Sequence, residues 1–110
     1  MRTRIIVGER VKNFLESLAP DPRRKLWRAI KELGQGEGDV KQLEGRLAPY
    51  WRLRVDRMRV IYHEHVAKGE RRLVCFFAEY RATVYAVLEQ LLASGLIAEL
   101  KDTPSEAPST

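Results

Sequence analysis

The chain has 110 residues, a formal net charge of +5 and a single cysteine, which limits it to one domain around one core. Hydrophobic residues at 45% and charged residues at 32% describe an ordinary globular protein and argue against a disordered one. No apolar run approaches the roughly 20 residues that span a bilayer, the N-terminus has no signal-peptide pattern, and Cys75, alone in an apolar run, cannot form an internal disulfide; the expected compartment is a reducing cytoplasm.

Charge is unevenly placed: +3 over residues 1–45, +5 over 46–81 and −3 over 82–110. A basic middle segment favours encounter with nucleic acid or with an acidic protein.

Taken in order, Thr3–Val7 is a short apolar strand ended by Gly8. Val11, Phe14, Leu15 and Leu18 then recur at i, i+3, i+4 and i+7, the stripe of an amphipathic helix. Ala19-Pro20-Asp21-Pro22 stops it, and Asp21 followed by Pro22 reads as the N-cap and first turn of a second helix. Leu26, Ile30 and Leu33 form its stripe, Gly34 is the expected cap, and Trp27 and Trp51 read as core aromatics. The two helices should form an antiparallel hairpin. Gln35–Asp39 is polar and flexible, and Val40–Pro49 reads as a connector.

Tyr50–Val66 is the centre of the sequence. Trp51, Leu53 and Val55 alternate with Arg52 and Arg54, then Asp56-Arg57-Met58 reverses the chain. Met58, Val60 and Tyr62 alternate with Arg59, Ile61 and His63. A period of two marks strands with one buried face. Paired as a hairpin, they bring Arg52, Arg54 and Arg59 to one face, with His63 further along it. Cations crowded in this way repel one another, and such a surface expects an anion. Arg72–Ala78 is almost continuously apolar, as in a strand buried on both faces. Val84, Val87, Leu88 and Leu91 resume helical spacing up to Gly95. Residues 1–101 form the expected domain and 102–110 a disordered tail. The expected fold is α+β, a small antiparallel sheet covered on one face by helices, in the order β-α-α-β-β-β-α.

Leu43-Glu44-Gly45, the W-R-L-R-V of Trp51–Val55, the R-V-I-Y of Arg59–Tyr62 and the R-x-x-V-Y of Arg81–Tyr85 together resemble the RelE/ParE superfamily of toxins from type II toxin–antitoxin systems, over roughly residues 3 to 92. The resemblance implies a RelE-like fold and, for RelE-like members, cleavage of mRNA, often on the ribosome. No metal and no cofactor is implied, because the 2′-hydroxyl of the RNA attacks the adjacent phosphorus. ParE-like members poison DNA gyrase instead, and a member that binds without toxicity is a third possibility. Each implies a cognate antitoxin as partner.

By position, the resemblance makes Arg52 and Arg54 contacts to RNA phosphates, Arg59 the residue at the scissile phosphate, and Tyr85 a base-stacking or proton-transfer group. Arg81 begins the last motif and joins the RNA-binding set. Tyr80 stands where many members carry histidine, and can stack in its place. Glu79 stands where some ribonucleases carry arginine; it can act as a base or pair with Arg59 or Arg81. His63 is an acid–base candidate or a surface strand residue. Tyr85 can equally belong to the core. No Cys/His set has zinc spacing, and Gln35–Asp39 lacks the following Lys-Ser/Thr of a phosphate loop.

Overall fold

The computed structural model describes residues 2–95. The elements are β1 (Arg2–Val7), α1 (Glu9–Ser17), α2 (Pro20–Glu32), β2 (Asp39–Gln42), β3 (Trp51–Val55), β4 (Met58–Ala67), β5 (Glu70–Tyr80) and α3 (Val84–Ser94), with short 3-10 turns at Leu33–Gln35 and Gly45–Leu47. They form an α+β fold around one five-stranded sheet in the order β1-β5-β4-β3-β2. β1 runs parallel to β5, and every other neighbouring pair is antiparallel. The antiparallel pairs follow from short turns. Asp56 takes a left-handed φ of 56° between β3 and β4, and Lys68 and Gly69 do so between β4 and β5, the geometry that two-residue hairpins require.

The alternation read from the sequence sets the two faces. Leu53, Val55, Met58, Val60, Tyr62, Leu73 and Cys75 pack against Val11, Phe14, Leu15 and Leu18 of the α1 segment and Leu26 and Ile30 of α2. Each fully buried side chain of this size contributes about 1.5–3 kcal/mol, so this layer dominates the stability. The other face holds a second cluster in which Ile61, Phe76 and Phe77 meet Tyr50 and, on α3, Val84, Leu88 and Leu91. The helices therefore lie on both faces, α1 and α2 on one and α3 on the other. A register shift enlarges the apolar surface on the α3 side: Ile61 pairs with Phe77 but Tyr62 with Cys75. Phe76 is the extra residue of a β-bulge, and both phenylalanines turn to the α3 side.

Three further expectations are corrected. α2 begins at Pro20 behind Ala19, which is extended, and no side chain caps it; Pro20 itself occupies the first helical position, and Asp21 sits in the first turn. Gly34 does not end the helix: Leu33 is buried and the chain continues through a 3-10 turn to Gly36, which carries the left-handed φ of 78°. Trp27 is 39% exposed, with the Lys31 ammonium 5.3 Å from its ring. Trp51, as expected, packs on the first cluster and stacks on Tyr62.

The largest addition is β2. Asp39–Gln42 was expected as loop and connector but pairs with β3 from Asp39–Arg54 to Gln42–Trp51. All four of its residues are exposed, so no apolar alternation marks it; the backbone ladder and the contacts of Asp39 with Arg52 and Arg54 hold it at the sheet edge. Gly38, at φ 125°, lets the chain enter the strand where a Cβ would lie 3.1 Å from Leu53 Cδ1. The expected tail at 102–110 and the end of the domain at 101 lie outside the described residues.

Candidate functional site

Strand register builds the site. Asp39 pairs with Arg54, Arg54 with Arg59, and Arg59 with Glu79. Directly paired residues point to the same side of a sheet, so these four form a row across β2, β3, β4 and β5, on the face that carries α3. Arg52 lies two residues from Arg54 on that face, paired with Lys41 and Ile61.

Arg59 is the centre of the row. It is 5% exposed, one of two polar residues buried among those described. Its Nη1 donates to the main-chain carbonyls of Asp56 and Met58, each at 2.9 Å, which fixes the guanidinium. Burial lowers its pKa first; the nearby Tyr85 opposes this, and the charges of Arg52, Arg54 and Arg81 add to the lowering. Among the described residues no carboxylate lies within 4 Å of Arg59. A buried cation surrounded by three others is costly unless an anion completes it.

Arg52 and Arg54 are engaged differently. Arg54 donates from Nε to Asp39 Oδ2 at 2.7 Å, with its Nη2 2.6 Å from the same oxygen. Arg52 Nη1 reaches the Asp39 carbonyl at 3.1 Å and Oδ1 at 3.3 Å. The hydrogen bond from Arg52 does most to hold the Asp39 carboxyl below its usual value; burial opposes it, and the hydrogen bond and charge of Arg54 add to the lowering. Asp39 thus grips both arginines much as a phosphate would, through paired guanidinium–oxygen contacts.

Tyr85 sits in the first turn of α3, half-buried against the second cluster. With Lys41, Glu44 and Arg52 it lines an open cleft of about 310 Å³. Glu79 does not form the ion pair considered for it. Its carboxylate accepts the main-chain N–H of Tyr80 at 2.9 Å, and it makes no salt bridge among the described residues. His63 shares the arginine face but is not a surface residue. It is 8% exposed, its ring 6.4 Å from that of Tyr50 and 5.9 Å from that of Phe76, inside the α3-side layer and four residues along β4 from Arg59. Tyr80 is on the opposite face, its ring against Phe14 at 5.1 Å. Arg81 is exposed and follows β5 into the turn before α3, its N–H donating to the Arg57 carbonyl at 2.7 Å.

The structure therefore brings Arg52, Arg54, Arg59, Glu79, Arg81 and Tyr85 together and leaves His63 and Tyr80 apart from them. Sequence reasoning missed Asp39 and Lys41 because their strand was not recognised; a polar edge strand leaves no periodic signal. Among the described residues no group of three or more His, Cys, Asp or Glu is placed to hold a metal ion.

No protein-family model matches the chain, and no curated protein matches it in sequence. Solved structures do match it. A YoeB/ParE toxin from Agrobacterium tumefaciens superposes with a TM-score of 0.57 at 21% identity, over 70% of this chain and 97% of that one. The archaeal RelE–RelB complex from Pyrococcus horikoshii matches at 0.55 and 23%, over 74% and 97%. The RelB–RelE antitoxin–toxin complex from Methanococcus jannaschii matches at 0.54 and 16%, over 74% and 96%. The chain has the RelE/ParE toxin fold. In this fold the arginine row lies on the α3 side of the sheet, and the polar edge strand β2 supplies the acid that engages two members of it.

Proposed function

We propose that this RelE/ParE-fold chain is the toxin of a toxin–antitoxin pair and that it cleaves mRNA without a metal ion. The observation that carries the reading is Arg59: a buried, immobilised cation with three arginines around it and no carboxylate partner. Such a group is preorganised for negative charge that develops during a reaction.

In the proposed reaction the 2′-hydroxyl of the RNA loses its proton and attacks the adjacent phosphorus. The bond to the 5′-oxygen breaks, that oxygen takes up a proton, and a 2′,3′-cyclic phosphate remains. Arg59 stabilises the extra charge on the non-bridging oxygens. Arg52 and Arg54 hold neighbouring phosphates after exchanging Asp39 for them. Tyr85, beside Arg59, is placed to stack on a base or to hand a proton to the leaving oxygen. Glu79, in the same row as Arg59, is the candidate base. His63 is enclosed by Tyr50 and Phe76, and the proposal gives it no proton to carry.

The cognate antitoxin would cover this face. A segment rich in Asp and Glu suits the basic row, and matched solved structures include toxin–antitoxin complexes. The ribosome would be the setting in which mRNA is presented.

Mapping RNA ends after incubation of purified protein with mRNA, with and without ribosomes, tests the reading. Arg59→Ala should lower the cleavage rate by about 10²–10³-fold, the usual effect of removing one preorganised donor. Cleavage unaffected by that change would overturn the proposal. A second reading, inhibition of DNA gyrase without nuclease activity, is favoured by one feature: Asp39 already engages Arg52 and Arg54, and a surface charge pair of this kind can serve protein docking as well as RNA. Supercoiling by gyrase in the presence of the protein distinguishes the two.

A further inference from the structure

The end of the sheet holds a second cleft, of about 460 Å³, lined by Arg57, Tyr80, Arg81 and Ala82. It is separate from the one beside Tyr85, and its volume lies in the range of small-ligand sites. Arg57 is at the tip of the two-residue turn between β3 and β4, and Arg81 opens the turn before α3. The 2.7 Å hydrogen bond from the Arg81 N–H to the Arg57 carbonyl ties these turns together. Both side chains are exposed. Neither guanidinium has a hydrogen-bond or ion-pair partner among the described residues. This sets them apart from Arg52 and Arg54, which Asp39 engages, and from Arg71 and Arg72, which pair with Glu64 and Glu70.

The same cleft is lined by Tyr80, a tyrosine 46% exposed yet braced by Phe14 in an edge-to-face contact, with ring centroids 5.1 Å apart. An exposed ring braced from behind is a stacking platform. Two unpaired guanidiniums beside it supply positive charge for phosphates. Single-stranded nucleic acid is bound by this combination, through base–aromatic stacking and an electrostatic groove. An acidic polypeptide would use the arginines but has no need of the braced ring. The cleft is linked to the reacting centre through the turn: Arg59 donates to the carbonyl of Asp56, next to Arg57, and Arg81 acts electrostatically on Arg59.

We propose that Arg57, Tyr80 and Arg81 form a second subsite for single-stranded RNA, in which a nucleotide next to the reacting phosphate stacks on Tyr80 while Arg57 and Arg81 hold its phosphates. The inference rests on the ribonuclease reading and extends it. The RNA would run from Arg52 and Arg54 across Arg59 and over the β3–β4 turn, onto the edge of the opposite face. Arg57 thereby becomes a binding residue, and Tyr80 binds RNA from a different face than the row does.

Fluorescence anisotropy with a labelled 2′-O-methyl oligoribonucleotide of about 12 nucleotides, within the span of single-strand grooves, measures binding without cleavage. Tyr80→Ala should weaken binding by about 5- to 150-fold, the equivalent of the roughly 1–3 kcal/mol of one stacked base. Tyr80→Phe, which keeps the ring, should restore most of the loss. Arg57→Ala should weaken binding and reduce the slope of log K against log salt by about one. The thermal midpoint of each variant separates lost binding from lost folding, and exposed Arg57 leaves the fold intact. Unchanged affinity in both Tyr80→Ala and Arg57→Ala overturns the inference. So does a result in which a polyglutamate peptide loses affinity on Arg57→Ala while the oligonucleotide does not. Cleavage of unmodified RNA is scored separately. If wild-type protein fails to cut but the variants still bind the oligonucleotide less well, the ribonuclease reading falls and the subsite stands. If cutting depends on Arg59 and the variants bind normally, the subsite alone falls.

Discussion

Arg59 and Asp39 show what a single residue decides in this protein. Nη1 of Arg59 serves two carbonyls, leaving the rest of the fork for a ligand. Lysine offers a point charge without that planar geometry, so Arg59→Lys should recover little of the activity lost in Arg59→Ala, as single-turnover cleavage would show. Asp39 acts in the opposite sense. Its pKa is lowered in the folded state, so its pairing contributes to stability above the unfolded carboxyl value, near pH 4, and the contribution disappears as pH falls through the lower folded value. The pair is exposed, and its contribution is correspondingly small. Its effect on binding should be larger: Asp39→Asn frees Arg52 and Arg54 and should tighten binding of the uncleavable oligonucleotide several-fold at neutral pH. Weaker binding would show that Asp39 instead positions the arginines. The three strand arginines were legible because their alternation with Trp51, Leu53, Val55 and Val60 assigns them a face. Asp39 was not, because its neighbours carry no pattern and its partners are brought to it only by strand pairing.

At the level of elements, the bulge at Phe76 has the widest reach. It turns two consecutive phenylalanines to one side and gives α3 a surface to sit on, and α3 in turn carries Tyr85 to Arg59. Phe76 is 1% exposed. Phe76→Ala should therefore cost about 3–5 kcal/mol, read as a lower urea midpoint. It should also reduce cleavage at temperatures where the protein is still folded, because Tyr85 loses its support. The almost continuously apolar run Arg72–Ala78 announced a strand buried on both faces, and the helical spacing of α3 was equally plain. The face that α3 covers was not, since it depends on one residue of register shift that no periodicity records. The same limit hid β2: hydrogen bonds to β3 stabilise it without any buried side chain of its own. His63 was assigned the correct face by alternation but the wrong exposure, because the rings of Tyr50 and Phe76 pack beside it.

For the molecule as a whole, the order of elements and the resemblance carried by the motifs at Leu43–Gly45, Trp51–Val55, Arg59–Tyr62 and Arg81–Tyr85 sufficed to place the fold, although sequence identity to the matched structures quoted above is only 16–23%. No helix among the described residues is long and apolar enough to cross a membrane. The core is closed around its one thiol: Cys75 is fully buried, and burial pushes its pKa up to about 12. The thiolate is the reactive form, so the native protein should resist a thiol-specific disulfide reagent at pH 8 and react fully once unfolded in urea. The rate of labelling in urea below the midpoint would then report global opening of the sheet.

The parallel pairing of β1 with β5 also sets an order of events during synthesis. Arg2–Val7 is made first, but its partner begins only at Glu70. At roughly 5–20 residues per second, the first strand waits several seconds without its neighbour. The arginines of β3 and β4 are translated before either β5 or α3 exists to bury and brace them. Arg59 therefore gains its enclosed setting, and Tyr85 its place beside it, only when almost all of the described chain has been made. A nascent chain has no assembled site, and the interval before it acquires one is fixed by the topology of its sheet.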